Sequence, residues 1–272
     1  MTQGRSGNWT RRLYEVPDAR LVQAEREVYQ TYGDIVSIDA KAKSLLRFGK
    51  TGTMTLNEQT VWTIGGHENY LTSNLITHIS SGSALDNQLI RIESHTIDAS
   101  GNFTFVVQTV QLNGQTKVAL PTPVARVSSA NNANTHNLVG PVYIYEDTTI
   151  SAGVPTNLTK AHISIPAGKN QSFKAATTFD YETYAFVTMG FGGVGNKQTA
   201  NVEFTLEVRP KGGVFQAGAS TVAGSASGNF NVNLDPIAIV PKNADLRVVA
   251  KSDNAGAEAF VNFNLYMAKV IG

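Results

Sequence analysis

From about Gly52 onward the chain is a succession of short alternating runs cut by glycine and asparagine turns, with no helical pattern between them. Val202-Glu-Phe-Thr-Leu-Glu-Val208 alternates apolar and polar at every position. That period places one set of side chains in a core and the other in solvent. Val261, Phe263, Leu265 and Met267 repeat the pattern near the C-terminal end. Further runs lie at Leu89 to Ile97, Phe103 to Leu112, Val142 to Tyr145, Ala161 to Ile165, Tyr184 to Met189, Phe230 to Leu234 and Leu246 to Ala250. Turn residues separate them at Ala99-Ser-Gly-Asn102, Leu112-Asn-Gly-Gln115, Asp235-Pro236 and Pro241-Lys-Asn-Ala244. Asp98 to Asn102 joins two strong runs closely enough for a hairpin. A parallel α/β fold needs a helix between strands, and none is patterned here. The expected class is mainly β: an antiparallel β-sandwich or jelly roll.

The first fifty residues read differently. Asp18 to Tyr32 has the spacing of a short amphipathic α-helix, with Leu21, Val22, Val28, Tyr29 and Tyr32 on one face. Asp18, after Pro17, suits the N-cap, and Gly33 suits the stop. Ahead of the helix lies a polar arm with Trp9, Arg11, Arg12 and Tyr14. The expected organisation is an arm and helix over 1–50 and a β region over 51–272. That region is one sandwich, or two modules at 51–130 and 137–272 divided by the polar Ser128 to His136 stretch. The small residues from Ala217 to Gly228 read as a loop.

Charge excludes several partner classes. The 272 residues carry 22 Lys and Arg against 21 Asp and Glu, a net charge of +1. Neither a nucleic-acid footprint nor an acidic tail is present. The chain has no cysteine, which removes disulfides, thiolate chemistry and Cys-based zinc sites. Residues 1–10 hold no apolar run of the signal-peptide kind, and no stretch approaches the roughly 18 apolar residues of a membrane span. A soluble protein made in the cytoplasm is expected, and the Asn-x-Ser/Thr triplets at Asn8, Asn102, Asn157 and Asn170 read as chance. Charged residues make up 16% of the chain, against about 25% in ordinary soluble proteins. Surfaces poor in Lys and Glu suit burial between subunits, although a Thr-rich β protein shows the same composition.

Each motif with chemical promise has a simpler reading. Gly190-Phe-Gly-Gly-Val-Gly195 fits a dinucleotide fingerprint, but no helix follows to present its amides to phosphate, so a hairpin loop is expected. Gly49-Lys50-Thr51 imitates the end of a phosphate loop, yet Ser44 stands where the first glycine is required, so this reads as a turn. His67, His78, His95, His136 and His162 show no metal-ligand spacing, and His67-Glu68 lacks a second histidine. His95 falls on the face opposite Ile90 and Ile92, a solvent or interface position. Glu146, Asp147, Asp180 and Glu182, each near tyrosines, are the carboxylates a glycosidase would use, subject to their separation in space. No nucleophile elbow is present. The expectation is no enzyme, no cofactor and no metal. Trp9, Arg11, Arg12 and Tyr14 could stack and neutralise single-stranded nucleic acid. Such residues are also the usual protein-interface anchors, and docking on other subunits is the reading adopted. The interface residues are then Trp9, Arg11, Arg12, Tyr14, Leu21, Val22, Val28, Tyr29 and Tyr32.

Four stretches carry a likeness to known proteins: Val61-Trp-Thr-Ile-Gly-Gly66, Gly101-Asn-Phe-Thr-Phe-Val-Val-Gln-Thr109, Val142-Tyr-Ile-Tyr-Glu-Asp147 and Val208-Arg-Pro-Lys-Gly-Gly-Val-Phe215. From about Thr60 onward the chain resembles virion structural proteins of tailed bacteriophages, those of marine and cyanobacterial phages in particular. The resemblance implies a capsid-surface, head–tail or tail component, located in the virion after synthesis in the host bacterial cytoplasm. It transfers no site residue. A capsid cement or decoration protein, trimeric at threefold positions and bound to the major capsid protein or other virion subunits, is the expected role. A tail, collar or fibre-base protein touching host surface glycans is the alternative, and a carbohydrate-binding or carbohydrate-active sandwich unrelated to virions is a third.

Overall fold

The computed structural model describes residues 43–195, 200–224 and 228–269. The helix and arm expected over 1–32, with all nine interface residues, lie outside them. In chain order the strands are β1 (Lys43–Lys50), β2 (Gln59–Thr60), β3 (Ile76–Ser81), β4 (Leu89–Ile97), β5 (Phe103–Gln111), β6 (Val118–Val124), β7 (Arg126–Asn132), β8 (Val142–Glu146) and β9 (Ile150–Ser151). There follow β10 (Val154–Pro155), β11 (Ala161–Ile165), β12 (Ala176–Thr178), β13 (Thr183–Gly195), β14 (Asn201–Arg209), β15 (Gln216–Gly224), β16 (Asn229–Val240), β17 (Asp245–Ser252) and β18 (Glu258–Lys269). One 3-10 turn at Leu158–Lys160 is capped by Asn157. No α-helix occurs among the described residues, and none there is long and apolar enough to cross a membrane.

A four-stranded and a five-stranded antiparallel sheet form the larger unit, ordered β1-β18-β13-β16 and β12-β17-β14-β15, the fifth strand being the short β2 beside β17. From β12 to β18 every connection crosses between the sheets except the β14–β15 hairpin, the wiring of an eight-stranded jelly roll. The alternation explains why these strands face each other. Val202, Phe204 and Leu206 of β14 meet Val261, Phe263 and Leu265 of β18 in one core, while Glu203 points to solvent.

A second sandwich is inserted between β2 and β12. Its sheets, β11-β8-β3-β6 and β5-β4-β7, close on Ile76, Ile79, Ile90, Ile92, Ile144 and Ile163. Where β5 and β6 meet without a ladder, Gln108 supplies one. Its Nε2 donates to the Thr122 carbonyl at 3.1 Å, and Thr122 N donates back to Oε1 at 3.0 Å. The polar Ser128 to His136 stretch runs inside this unit, since β3 before it pairs with β8 after it. Lys43–Lys50 belongs to the other unit, pairing along its length with β18.

Several expected turns are strand. Gly190 to Gly195 is the end of β13, hydrogen-bonded to β18 on one side and, through Gly193, to β16 on the other. Glycine serves close packing there: a Cβ on Gly192 would lie 2.4 Å from the Phe260 carbonyl oxygen and 2.8 Å from the Phe230 ring. Gly49 ends β1 rather than making a turn, because a Cβ would sit 2.3 Å from the Val61 oxygen and 2.5 Å from Ala175 Cβ. Most of the stretch from Ala217 to Gly228 is β15, its small side chains standing on a sheet edge. Asp235-Pro236 falls within β16, where the ladder breaks between Val187↔Ala238 and Met189↔Asn233; a proline in a strand needs such an interruption. The turn at Asp98 to Asn102 is the expected hairpin, with Gly101 at φ 77 and Asp98 N donating to the Asn102 oxygen at 3.0 Å.

Candidate interaction surfaces

The two sandwiches are locked by buried charge. Arg126 of β7 donates through Nε to Asp245 of β17 at 3.0 Å, with side-chain exposures of 4% and 3%. Its Nη1 reaches the Leu71 and Ala125 carbonyls at 2.7 and 2.8 Å. Asp245 also accepts from Thr178 Oγ1 at 2.7 Å and from Arg209 Nε at 3.1 Å. Burial pushes the Asp245 carboxyl up, but Arg126, Arg209 and Thr178 outweigh it and hold it below the usual carboxylate value. Lys174 is buried against Glu68, donates to the Val127 oxygen at 2.7 Å and lies 5.6 Å from the Trp62 ring. Around this network Arg209 and Arg247 stack on Phe215 at 4.9 and 3.9 Å, and Arg126 stands 5.0 Å from Phe103. Asn243, at φ 61, accepts from Phe103 N at 2.7 Å and pins the hairpin to the jelly roll. Trp62, Phe103, Arg209 and Phe215 thus all contribute rings or charge to this joint.

The carboxylates that would make a glycosidase are divided between units. Glu146 and Asp147 end β8 in the inserted sandwich, while Asp180 and Glu182 form the β12–β13 turn, where Asp180 Oδ1 accepts from Glu182 N at 3.1 Å. Glu146 lies 3.2 Å from His162 Nε2, and burial raises its carboxyl. Asp147 binds Lys117 at 2.6 Å with His78 at 3.7 Å. His162 is buried and its pKa is lowered to about 3 by that burial, helped by Lys174 and Arg126. His95 is buried too, rather than facing solvent or an interface: Phe103 and Phe105 pack on its ring, and desolvation lowers its pKa to about 3. His67 lies near Glu58 and Arg247, while the His136 carbonyl accepts from Asn132. Among the described residues no three His, Asp or Glu side chains come together as metal ligands.

What the alternation missed is a difference between the two open sides of the jelly roll. The β1/β12 side is covered by the inserted sandwich, through Arg47 to Glu93 at 3.1 Å and Thr178 N to Ser128 Oγ at 3.4 Å. Among the described residues nothing covers the β15/β16 side in this way. β15 ends its sheet and β16 ends the other, and between them opens an apolar cleft of about 50 Å³ lined by Phe204, Leu206, Phe230, Val232 and Phe263. Val222 of β15 is 62% exposed. The legible signal was the absence of Lys, Glu and Pro from Gln216–Gly224. A second apolar feature stands at the far tip of the insert. Leu85 and Val139 are 74% and 55% exposed on loops tied by the buried Asp86, which accepts from Ser81 Oγ, Val139 N and Gly140 N.

No family model and no curated protein matches the chain. Solved structures similar to it come from infectious bursal disease virus. The Gx-strain structure is 9% identical over 87% of this chain and 79% of that one, with a TM-score of 0.18. The VP2 subviral particle is 7% identical over 85% and 77%, with a TM-score of 0.15. The T13 viral particle is 9% identical over 94% and 82%, also with a TM-score of 0.15. Superpositions this loose carry no argument about fold or role.

Proposed function

We propose that this chain is a non-enzymatic structural subunit of a virus particle, working as a capsid cement or decoration protein that bridges other virion subunits. The observation that carries the reading is the eight-stranded jelly roll whose β15/β16 side, among the described residues, is left open over an apolar cleft and bordered by a β15 without charge or proline. Jelly rolls serve viral capsids and lectins among others, and a fold alone does not name a function. The open side adds what a free sugar-binding domain has no use for: a strand edge without the charges and prolines that keep solitary sheets apart. The low charge content and the resemblance to phage virion proteins support the same reading. A closed symmetric oligomer, with a trimer the expected state, is the usual arrangement for identical chains meeting at such a side.

The test uses the full-length protein. Light scattering and electron microscopy should find closed oligomers, and co-sedimentation should find the chain on particles that lack it. A monomer at every concentration that also fails to sediment with particles would refute the proposal. So would turnover of a glycan substrate that is lost on Glu146→Gln or Asp180→Asn.

A further inference from the structure

We propose that the mouth between β15 and β16 receives residues 1–17 of another copy of this chain as an added strand. The inference rests on the assembly reading above and names the surfaces that meet. Its first support is the contrast among seams. The β5/β6 seam is bridged by Gln108, and the β1/β12 side is tied to the insert through Arg47 to Glu93 and Thr178 to Ser128. The nine residues of β15 have neither charge nor proline, so one side of their backbone is a ready template for an incoming strand.

The cleft selects the occupant. Above Phe204, Phe230 and Phe263 the inward β15 side chains are Ala219 and Thr221, too short to fill it. A second β15 would bring only the same small residues. Residues 1–17 bring Trp9 and Leu13, which share one face of a strand, and large aromatic side chains are the groups that fill such pockets at interfaces. Charge agrees. Glu203, exposed on the outer face one strand in from the edge and opposite Val222, accepts from Ser220 Oγ at 3.1 Å and stands ready for Arg12, on the face of the added strand opposite Trp9 and Leu13.

Connectivity says how copies would join. The 42 residues before β1 leave from an edge strand on the far side of the jelly roll from the mouth. Residues 18–42 can span roughly 55 Å even with 18–32 helical, against a four-stranded sheet about 15 Å across. Donor and acceptor are therefore different surfaces, and repetition of the contact runs head to tail, into a ring where the rotation between copies closes.

The chain has no cysteine of its own, so introduced pairs report directly. Full-length copies carrying Leu13→Cys and differently tagged copies carrying Thr221→Cys, both on the inward face, are mixed and mildly oxidised. A disulfide between the two tags is expected. Val222→Lys in the acceptor copy should lower its yield at least tenfold while leaving the circular dichroism unchanged. Three results would overturn the proposal: no disulfide between the tags, a Thr221→Cys copy linking to its like, or a chain with both substitutions closing only on itself. Oligomers or particle-bound chains that give no such disulfide would sink the pairing and leave the assembly reading standing.

Discussion

Arg126 and Asp245 meet across the joint with both side chains almost wholly out of water. Such a pair adds little net stability but holds position strongly, because losing either partner strands the other. Asp245→Ala should cost about 3–5 kcal/mol, read as a lowered urea midpoint with unchanged slope. The buried histidines set a pH dependence. His95 and His162 have folded pKa values of about 3, below the roughly 6.5 of an unfolded histidine. Between those values the unfolded chain binds more protons, so stability is full above about pH 6.5 and falls as the pH drops toward 3. Asp245 adds to the loss at the acid end, its stabilisation disappearing as pH falls through its depressed folded pKa. Melting temperatures measured from pH 7 to 4 should decline steadily, and the His95→Gln, His162→Gln double variant should show a flatter decline.

Among elements, β13 is the most sensitive to size. A Cβ on Gly193 would fall 2.2 Å from the Gly228 oxygen and 2.9 Å from the Phe260 ring. Gly193→Ala should therefore destabilise by roughly 1–3 kcal/mol or more, while Gly52→Ala, with open space around it, should change the melting point little. The same strand shows what was legible beforehand. β14 and β18 alternate large apolar with polar residues, so their type, face and partner layer could be read directly. The Gly190 to Gly195 half of β13 and the whole of β15 are mostly glycine, alanine and other small residues, which in sequence look like a loop. Their role depends on Phe230 and Phe260, far along the chain, and no local pattern records that. The open side was hidden for the same reason: only the strand order shows that β15 and β16 end their sheets together.

At the scale of the molecule, removing residues 1–32 should leave a folded β protein, since β1 begins at Lys43 with its ladder to β18 complete. The truncated chain should keep its circular dichroism spectrum and lose attachment to particles; normal co-sedimentation would count against the docking role of the arm. Calorimetry of the full chain should give one transition, because the Arg126–Asp245 and Lys174–Glu68 contacts tie the units together.

The pairing of Lys43 with Met267 also sets a clock. The inserted sandwich draws all its strands from consecutive chain and can close while synthesis continues. The jelly roll cannot, because its first strand needs its last. At roughly 5–20 residues per second, β1 waits on the order of 10–45 s for β18 to leave the ribosome. The mouth beside β15 is therefore shaped only once synthesis is nearly over. A truncated translation product would carry a finished insert and no acceptor edge, and so could not be built into a growing assembly.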